Sequence, residues 1–263
     1  MVIDLNPTFH SIYPVLFIPF SLLQLMFHSF RTIIPVLVGW FYQSHPRAVA
    51  DPLRSITSMT LLCLWSARLT HSYFRREEWQ LGAREDWRFT DMAKICGRHW
   101  PWLSFFAAYL SQHVMLMGIT WPFFTIHSSG LPWDPLWDFL ATATAVTGIV
   151  IACIADTQLQ SFKVRNELRK AAGLEPVLIN ESGLFYYSRH PNYFGELLWW
   201  WGVGLFAFRL GQPIVLCGAL INTLAMIPVT IMVEERMMRK PERVEAFREY
   251  CRVTSVWVPW PRA

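Results

Sequence analysis

Long apolar segments recur along this chain, and short polar or charged connections separate them. One helical crossing of a bilayer requires about 20 apolar residues, so these segments predict membrane-spanning helices. Charged residues make up 16% of the chain and hydrophobic residues 53%, whereas a soluble domain carries about 25% charged residues. The predicted fold is therefore all-α, a polytopic transmembrane helical bundle with cytoplasmic loops.

Six or seven spans are predicted. Residues 32–42 form an apolar run of roughly half the required length, and including or omitting this run gives seven or six. The other predicted spans are residues 11–30, 55–74, 101–126, 133–155, 192–208 and 213–233. No internal repeat or linker divides the sequence, so residues 1–263 are predicted to form a single integral-membrane domain.

The distribution of Lys and Arg predicts the orientation of these helices. The connection at 75–100 holds six of them, the connection at 156–190 five and the tail from Glu234 seven, whereas the connection at 127–135 holds none. Basic residues concentrate in cytoplasmic loops, so the two large connections and the C-terminus are predicted to face the cytoplasm. The tail is predicted to be an amphipathic helix with the apolar face Val244, Phe247, Tyr250 and Cys251.

Charge and cysteine spacing argue against two other kinds of site. The net charge of +4 is spread over three separated basic clusters, which is not the single basic face of a nucleic-acid-binding protein. The five cysteines lack a CxxC or a Cys/His spacing, so they predict neither a disulfide framework nor a metal site.

The motif SRHPNYFGE at 188–196 runs directly into a tryptophan-rich apolar segment. Pro191 is predicted at the first turn of a helix, where its fixed φ and missing N–H are tolerated. Glu196 then lies one turn inside the helix, close to the membrane interface. An ionised group at that depth is costly unless a partner or ligand engages it. An interfacial helix cap with an aromatic belt fits the same pattern.

Polar residues of the predicted cytoplasmic segments are suited to an anionic ligand. Asp156, Gln160 and Lys163 share one face of a helix because they lie at i, i+4 and i+7. A cluster of Arg, Lys, Asn and Tyr fits a phosphorylated cofactor or an anionic lipid headgroup, and a solvated interfacial helix also fits this face. Arg68, inside a predicted span, needs a carboxylate partner, for which Glu85 and Glu196 are candidates.

Several motifs in one order resemble the steroid 5α-reductase superfamily, and most closely its uncharacterised small-membrane-protein branch. Sterol Δ14- and Δ7-reductases are more distant relatives. The resemblance covers most of residues 50–263, with residues 1–54 as variable N-terminal spans and 55–263 as the family-like core. The motifs are WSARL at 65–69, EDWR at 85–88, ADTQLQSF at 155–162, GLF at 183–185, SRHPNYFGE at 188–196 and WWG at 200–202.

The resemblance implies a membrane reductase that uses NADPH to reduce a carbon–carbon double bond. The implied substrate is hydrophobic, namely a steroid or sterol, a polyprenoid or an enoyl lipid, and the implied location is the endoplasmic reticulum membrane. By position in the motifs, the implied cofactor-binding residues are Asp156, Lys163, Arg189, His190, Asn192, Tyr193, Glu196 and Glu235.

The proton donor of such a reaction is less defined. Negative charge builds up on the substrate as hydride arrives, so a hydrogen-bond donor and a proton are needed. Tyr193, Tyr73 or a water held by Glu85 are candidates, and Arg68 completes the predicted catalytic set. The Gln-Glu pair that polarises the enone in 5α-reductases has no counterpart near the N-terminus, Phe185 replaces a Trp, and Leu159 replaces a basic residue.

Two alternatives remain open on the sequence. Isoprenylcysteine and phospholipid methyltransferases also carry Arg-His-Pro-x-Tyr-x-Gly at the start of a helix and a Glu-Glu pair before the tail. The matching residues here are 189–195 and 234–235, and the ligand would then be S-adenosylmethionine. The missing Gln-Glu pair favours the other alternative, a non-catalytic membrane protein that binds sterols or lipids.

Overall fold

The computed structural model describes residues 32–76 and 87–262, and every regular element in these ranges is helical. The predicted all-α class is therefore confirmed, while the predicted span at 11–30 lies outside the described residues. A π-helical segment, Ser104–Leu110, joins α4 to α5. The helices are α1 (32–44), α2 (Pro52–Arg76), α3 (Trp87–Cys96), α4 (Trp100–Leu103), α5 (Ser111–Ser128), α6 (Trp137–Ala171), α7 (Pro191–Arg209), α8 (Leu216–Met238) and α9 (Pro241–Val253).

Two described helical segments are long and apolar enough to cross a membrane, namely Trp137–Ala171 and Pro213–Met238. The 35 residues of α6 extend over about 52 Å at 1.5 Å per residue, well beyond a hydrocarbon core of about 30 Å. The predicted span ends at Ala155, but the helix continues to Ala171 because no Gly or Pro interrupts it. Gly173, with φ of +70°, follows the helix end, as is common at C-termini.

Helices α6 and α7 pack backbone against backbone. Small residues of α6 repeat at alternating spacings of four and three, and those with side chains are fully buried. A Cβ atom added at Gly148 would lie 2.6 Å from the carbonyl oxygen of Gly195, and one added at Gly202 would lie 2.5 Å from the Ala145 nitrogen. Such close approach is typical of small-residue helix pairs in membranes. The α6 residues are Ala141, Ala145, Gly148, Ala152 and Ala155.

An aromatic core lies around Trp199, whose side chain is fully buried. The ring of Trp65 on α2 stacks on Trp199 with centroids 5.9 Å apart and meets Trp200 edge-on at 5.0 Å. Phe123 of α5 and Phe206 of α7 belong to the same buried cluster. This core joins α2, α5 and α7 beside the α6 contact.

A buried ion pair joins the first turns of α2 and α6. Arg54 Nη2 lies 2.7 Å from Asp138 Oδ2, and the side chains are 1% and 0% exposed. Arg54 Nε also donates to Asp138 Oδ1 at 2.9 Å, which makes the pair bidentate. The remaining contacts run from Arg54 to the carbonyl oxygens of Leu131 and Pro132, both at 2.8 Å. The arginine thereby anchors the connection before α6.

The predicted amphipathic tail helix is present as α9. Phe247 and Tyr250 are 5% and 4% exposed and pack against Ile179, while Val244 and Cys251 are half-buried. The apolar face therefore contacts the segment that precedes the SRHPNYFGE motif.

Substituting Gly148 by Ala should destabilise the protein by about 2–3 kcal/mol, because the new methyl group would meet backbone atoms that cannot rotate away. The measurement is the free energy of unfolding in mixed micelles. Gly118→Ala is the matched control, since its Cβ meets nothing within 4 Å and a helical Gly→Ala exchange is otherwise mildly favourable. Equal stability of the two variants would contradict the close α6–α7 contact.

Arg54→Met should cost about 3–5 kcal/mol because it leaves the Asp138 carboxylate buried without its cation. The double variant Arg54→Met/Asp138→Leu should regain a large part of this loss, since an apolar pair of similar volume removes both charges. The unfolding free energies of Arg54→Met, Asp138→Leu and the double variant give the coupling free energy between the two side chains. Additive losses would show that the two residues do not interact.

Candidate functional site

Arg68 joins carboxylates from two other helices. Its Nη1 lies 3.2 Å from Asp156 Oδ2 on α6, and its Nη2 lies 2.6 Å from Glu196 Oε2 on α7. The three side chains are only 9%, 15% and 19% exposed. The predicted pairing of Arg68 with Glu196 is thus present, and Asp156 is a second partner. We call these three residues the α2–α6–α7 cluster.

Hydrogen bonds hold both carboxylates of this cluster. Glu196 Oε1 accepts from the indole nitrogens of Trp65 at 2.9 Å and Trp200 at 3.3 Å. Asp156 Oδ2 accepts from Ser72 Oγ at 2.9 Å. Two carboxylates and one guanidinium give the cluster a formal charge of −1, and neutral donors stabilise the excess charge.

A second cluster lies at the start of α7. Glu234 Oε1 on α8 lies 2.9 Å from His190 Nε2 and 3.1 Å from Arg189 Nε. Arg189 Nη1 also donates to the carbonyl oxygen of Cys251 at 3.3 Å, and the rings of His190 and Tyr193 stack with centroids 5.1 Å apart. The motif is thereby connected to α8 and α9.

The segment at 254–262 holds the motif loop through backbone hydrogen bonds. Ser188 and Ser255 form a parallel bridge, in which Arg189 N donates to Ser255 O at 2.8 Å. Ser188 Oγ donates to the Trp257 carbonyl at 2.7 Å. Tyr250 donates its hydroxyl to the Phe185 carbonyl at 2.6 Å, and burial raises the pKa of this phenol. The loop that starts α7 is therefore fixed from both α9 and the segment after it.

The other predicted site residues are placed as follows. Asn192 and Tyr193 are half-buried in the first turn of α7, and Lys163 is exposed on α6 two turns beyond Asp156. Glu235 is exposed on α8, and its neighbour Glu234 makes the contacts with the motif. Glu85 lies outside the described residues.

Several site residues were missed in the sequence. Ser72 and Trp200 were not predicted to bind Asp156 and Glu196, although a buried indole N–H usually finds an acceptor. Glu234 was not predicted to bind Arg189 and His190. Gln158 was also missed. It accepts from Leu184 N at 2.9 Å and lies where a Cβ at Gly183 would be, so it holds the GLF turn before the motif.

A groove of about 530 Å³ adjoins the second cluster, between α8 and the segment after α9. Its lining is mainly apolar, with the ionic pair at one end. The lining residues are Arg189, Ile227, Thr230, Ile231, Glu234, Ser255, Val256, Trp257 and Val258.

A family model described as "Protein of unknown function (DUF1295)" matches residues 26–254. The chain belongs to the DUF1295 family. The DUF1295 family is steroid 5α-reductase-like in general, so the resemblance seen in the motifs is confirmed at that level.

One curated relative is similar to this DUF1295 chain. It is the Schizosaccharomyces pombe protein named "Uncharacterized protein C594.04c", which is 29% identical over 159 residues. The match covers 56% of this chain and 46% of the relative, so the chain spans about half the length of the curated relative. No solved structure matches the chain.

Removing the Arg68 cation should lower the free energy of unfolding more than removing the charge of one of its partners. Arg68→Gln leaves Asp156 and Glu196 half-buried without a counter-charge and should cost about 3 kcal/mol. Glu196→Gln keeps the Arg68–Asp156 pair and an oxygen acceptor for the indoles, so about 1 kcal/mol is expected. Unfolding followed by tryptophan fluorescence measures both.

Arg252→Gln is the control for the Arg68 comparison, because Arg252 pairs with Glu249 on the exposed surface of α9. Such surface pairs contribute little to stability, so this variant should unfold like the wild type. A Glu196→Gln variant less stable than Arg68→Gln would contradict the central role of the arginine.

Proposed function

We propose that this protein is a membrane-embedded, NADPH-dependent reductase of a carbon–carbon double bond in a hydrophobic substrate. The observation that carries the proposal is the α2–α6–α7 cluster. It gathers Arg68, Asp156 and Glu196 from three of the motifs that resemble the reductase family, and it holds them partly buried between apolar helices. Membership in a steroid 5α-reductase-like family supports the same chemistry.

The residues at the site fit a phosphorylated dinucleotide. Arg68 Nε is buried without a hydrogen-bond acceptor among the described residues, so a donor is available for a polar ligand. The carboxylates of Asp156 and Glu196 are suited to hydroxyl and amide groups, and Arg189 and Lys163 to phosphates. The residues proposed to hold the cofactor are Asp156, Lys163, Arg189, His190, Asn192, Tyr193, Glu196 and Glu235.

NADPH would supply the hydride, and the chain's own residues would position the substrate and deliver a proton. The Tyr193 phenol, held by stacking on His190, is the proposed donor to the developing negative charge on the substrate. Arg68 holds the Asp156 and Glu196 side chains in place. The buried rings of Trp65, Trp199 and Trp200 would exclude water from this end of the helices. Tyr73 and a water held by Glu85 are the alternative donors.

A methyltransferase that uses S-adenosylmethionine is the second candidate. The observation that favours it is the contact of Arg189 and His190 with Glu234. This contact unites the Arg-His-Pro motif with the Glu-Glu pair, and both features occur in isoprenylcysteine and phospholipid methyltransferases.

The proposed setting is a multi-pass membrane protein of six or seven spans in the small-membrane-protein branch of the superfamily. The C-terminus is proposed to lie in the cytoplasm, with the endoplasmic reticulum as the membrane. In this orientation both clusters lie at the cytoplasmic ends of their helices, where a soluble cofactor can reach them.

Titration of the purified protein with NADPH, NADH and S-adenosylmethionine, followed by isothermal titration calorimetry, tests the proposal. NADPH should bind to the wild type. Asn192→Ala and Glu196→Gln should each raise the Kd for NADPH at least tenfold, because both residues lie in the part of α7 proposed to contact the cofactor. Arg248→Gln, an exposed change on α9, should bind like the wild type.

Two outcomes would contradict the reductase proposal. Binding of S-adenosylmethionine alone would favour the methyltransferase. Binding of none of the three ligands by protein that is shown to be folded would favour a non-catalytic lipid-binding protein. Normal NADPH binding by both α7 variants would show that the assigned site is wrong.

A further inference from the structure

A second groove, also about 530 Å³, lies on the polar extension of α6. One wall is the helix itself, and the other is the segment that returns from its end toward the GLF turn. The lining residues are Phe162, Arg165, Asn166, Arg169, Val177, Ile179, Asn180, Glu181 and Ser182. We call this the Arg165–Arg169 groove.

This groove does not lie on the helix face proposed for NADPH. At 100° per residue, the face of Arg165 and Arg169 is about 150° around α6 from the face of Asp156 and Lys163. The two sets of side chains therefore point in different directions, and a ligand of this groove would be distinct from the proposed cofactor.

The charges of the two arginines are not balanced by carboxylates of the described residues. In the described parts of the chain, no carboxylate lies within ion-pair distance of Arg165 or Arg169, and Arg169 uses only its Nε, which donates to the Glu175 carbonyl at 2.7 Å. The one acid of the lining, Glu181, pairs with Arg262 at 2.8 Å. By contrast, Arg248 and Arg252 on α9 have the same spacing, and each pairs with a glutamate. The groove thus has uncompensated positive charge.

An unsatisfied amide also lines this groove. Asn180 is 8% exposed, its Oδ1 accepts from Ser182 Oγ at 3.0 Å, and its Nδ2 is buried with no acceptor among the described residues. A buried donor of this kind is costly unless it is satisfied, so it indicates an acceptor that binds here.

The wall that holds Asn180 is fixed before any ligand arrives. Asn166 Nδ2 donates to the Val177 carbonyl at 2.8 Å, and Val177 N donates to Asn166 Oδ1 at 2.9 Å. Ile179 is buried against Phe247 and Tyr250 of α9. The donor therefore needs only a side-chain adjustment to reach a bound oxygen.

We propose that the Arg165–Arg169 groove binds a phosphate group. Guanidinium groups one turn apart are suited to pair with the oxygens of one phosphate, and Asn180 Nδ2 supplies a third, neutral donor. The phosphate belongs either to a lipid headgroup at the membrane surface or to a small soluble molecule. Because the groove and the proposed cofactor face differ, this site is independent of the reductase proposal.

Two probes distinguish the sources of phosphate for the purified full-length protein. The first is inorganic phosphate, titrated against protein in a neutral detergent and followed by the shift in melting temperature at constant ionic strength. The second is binding to phosphatidylcholine vesicles with and without phosphatidic acid. Response to the first probe alone indicates a soluble phosphate, and response to the second alone indicates a lipid headgroup. Either result supports the proposal.

The variants Arg165→Gln/Arg169→Gln and Asn180→Asp should each weaken the observed binding at least tenfold. Asn180→Asp places a carboxylate beside the phosphate, and it changes no arginine. The matched control is Arg248→Gln/Arg252→Gln, which removes the same number of charges at the same spacing from α9 and should bind like the wild type. NADPH affinity should stay within twofold in all variants.

Three results would overturn the phosphate site. The first is a wild-type protein that responds to neither probe. The second is a groove variant, shown to be folded by its melting curve, that binds as tightly as the α9 control. The third is loss of NADPH binding in parallel with phosphate binding, which would make the groove part of the cofactor site.

Discussion

The contact between the backbones of α6 and α7 is the constraint on which the rest of the structure depends. Gly195 approaches so closely that a Cβ there would lie 2.6 Å from the Ala152 nitrogen. Glu196 follows Gly195 directly, and Asp156 lies one turn beyond Ala152. The glycines and alanines at the contact therefore allow an approach that brings two acidic residues to the same end of the helix pair.

Two carboxylates held together in a partly buried place repel each other, and the surroundings of the helix pair offset that cost. Arg68 of α2 lies between them, within 3.2 Å of one and 2.6 Å of the other, and indole and hydroxyl groups donate to the remaining lone pairs. A guanidinium suits this position because its planar fork can serve two acceptors at once. The position of α2 is thus fixed by the ion pairs of Arg68 as well as by the stacked tryptophans.

Much of the fold and part of the site could be predicted from residues close in sequence. Pro191 marks the first turn of α7, and the Arg68–Glu196 pair follows from the cost of a lone charge inside an apolar helix. The sequence prediction named Glu235, whereas Glu234 makes the contacts with the motif. Neighbouring residues on a helix differ by about 100°, and the phase of α8 depends on its packing. The Arg54–Asp138 pair was missed because Arg54 lies just outside the predicted span at 55–74, where a charge does not require a buried partner. The alternating small residues of α6 were visible in the sequence, but their role depends on the glycines of α7.

The hydrogen bonds between the motif loop and the segment at 254–262 have a consequence for the order of assembly. Ser188 is synthesised 69 residues before Trp257, its carbonyl acceptor, and α8 and α9 must form in between. During translation the start of α7 therefore exists without the backbone partners that fix it. The end of the protein that carries the proposed site can mature only after α8 and α9 are in place, so synthesis of the motif and completion of the site are separate events.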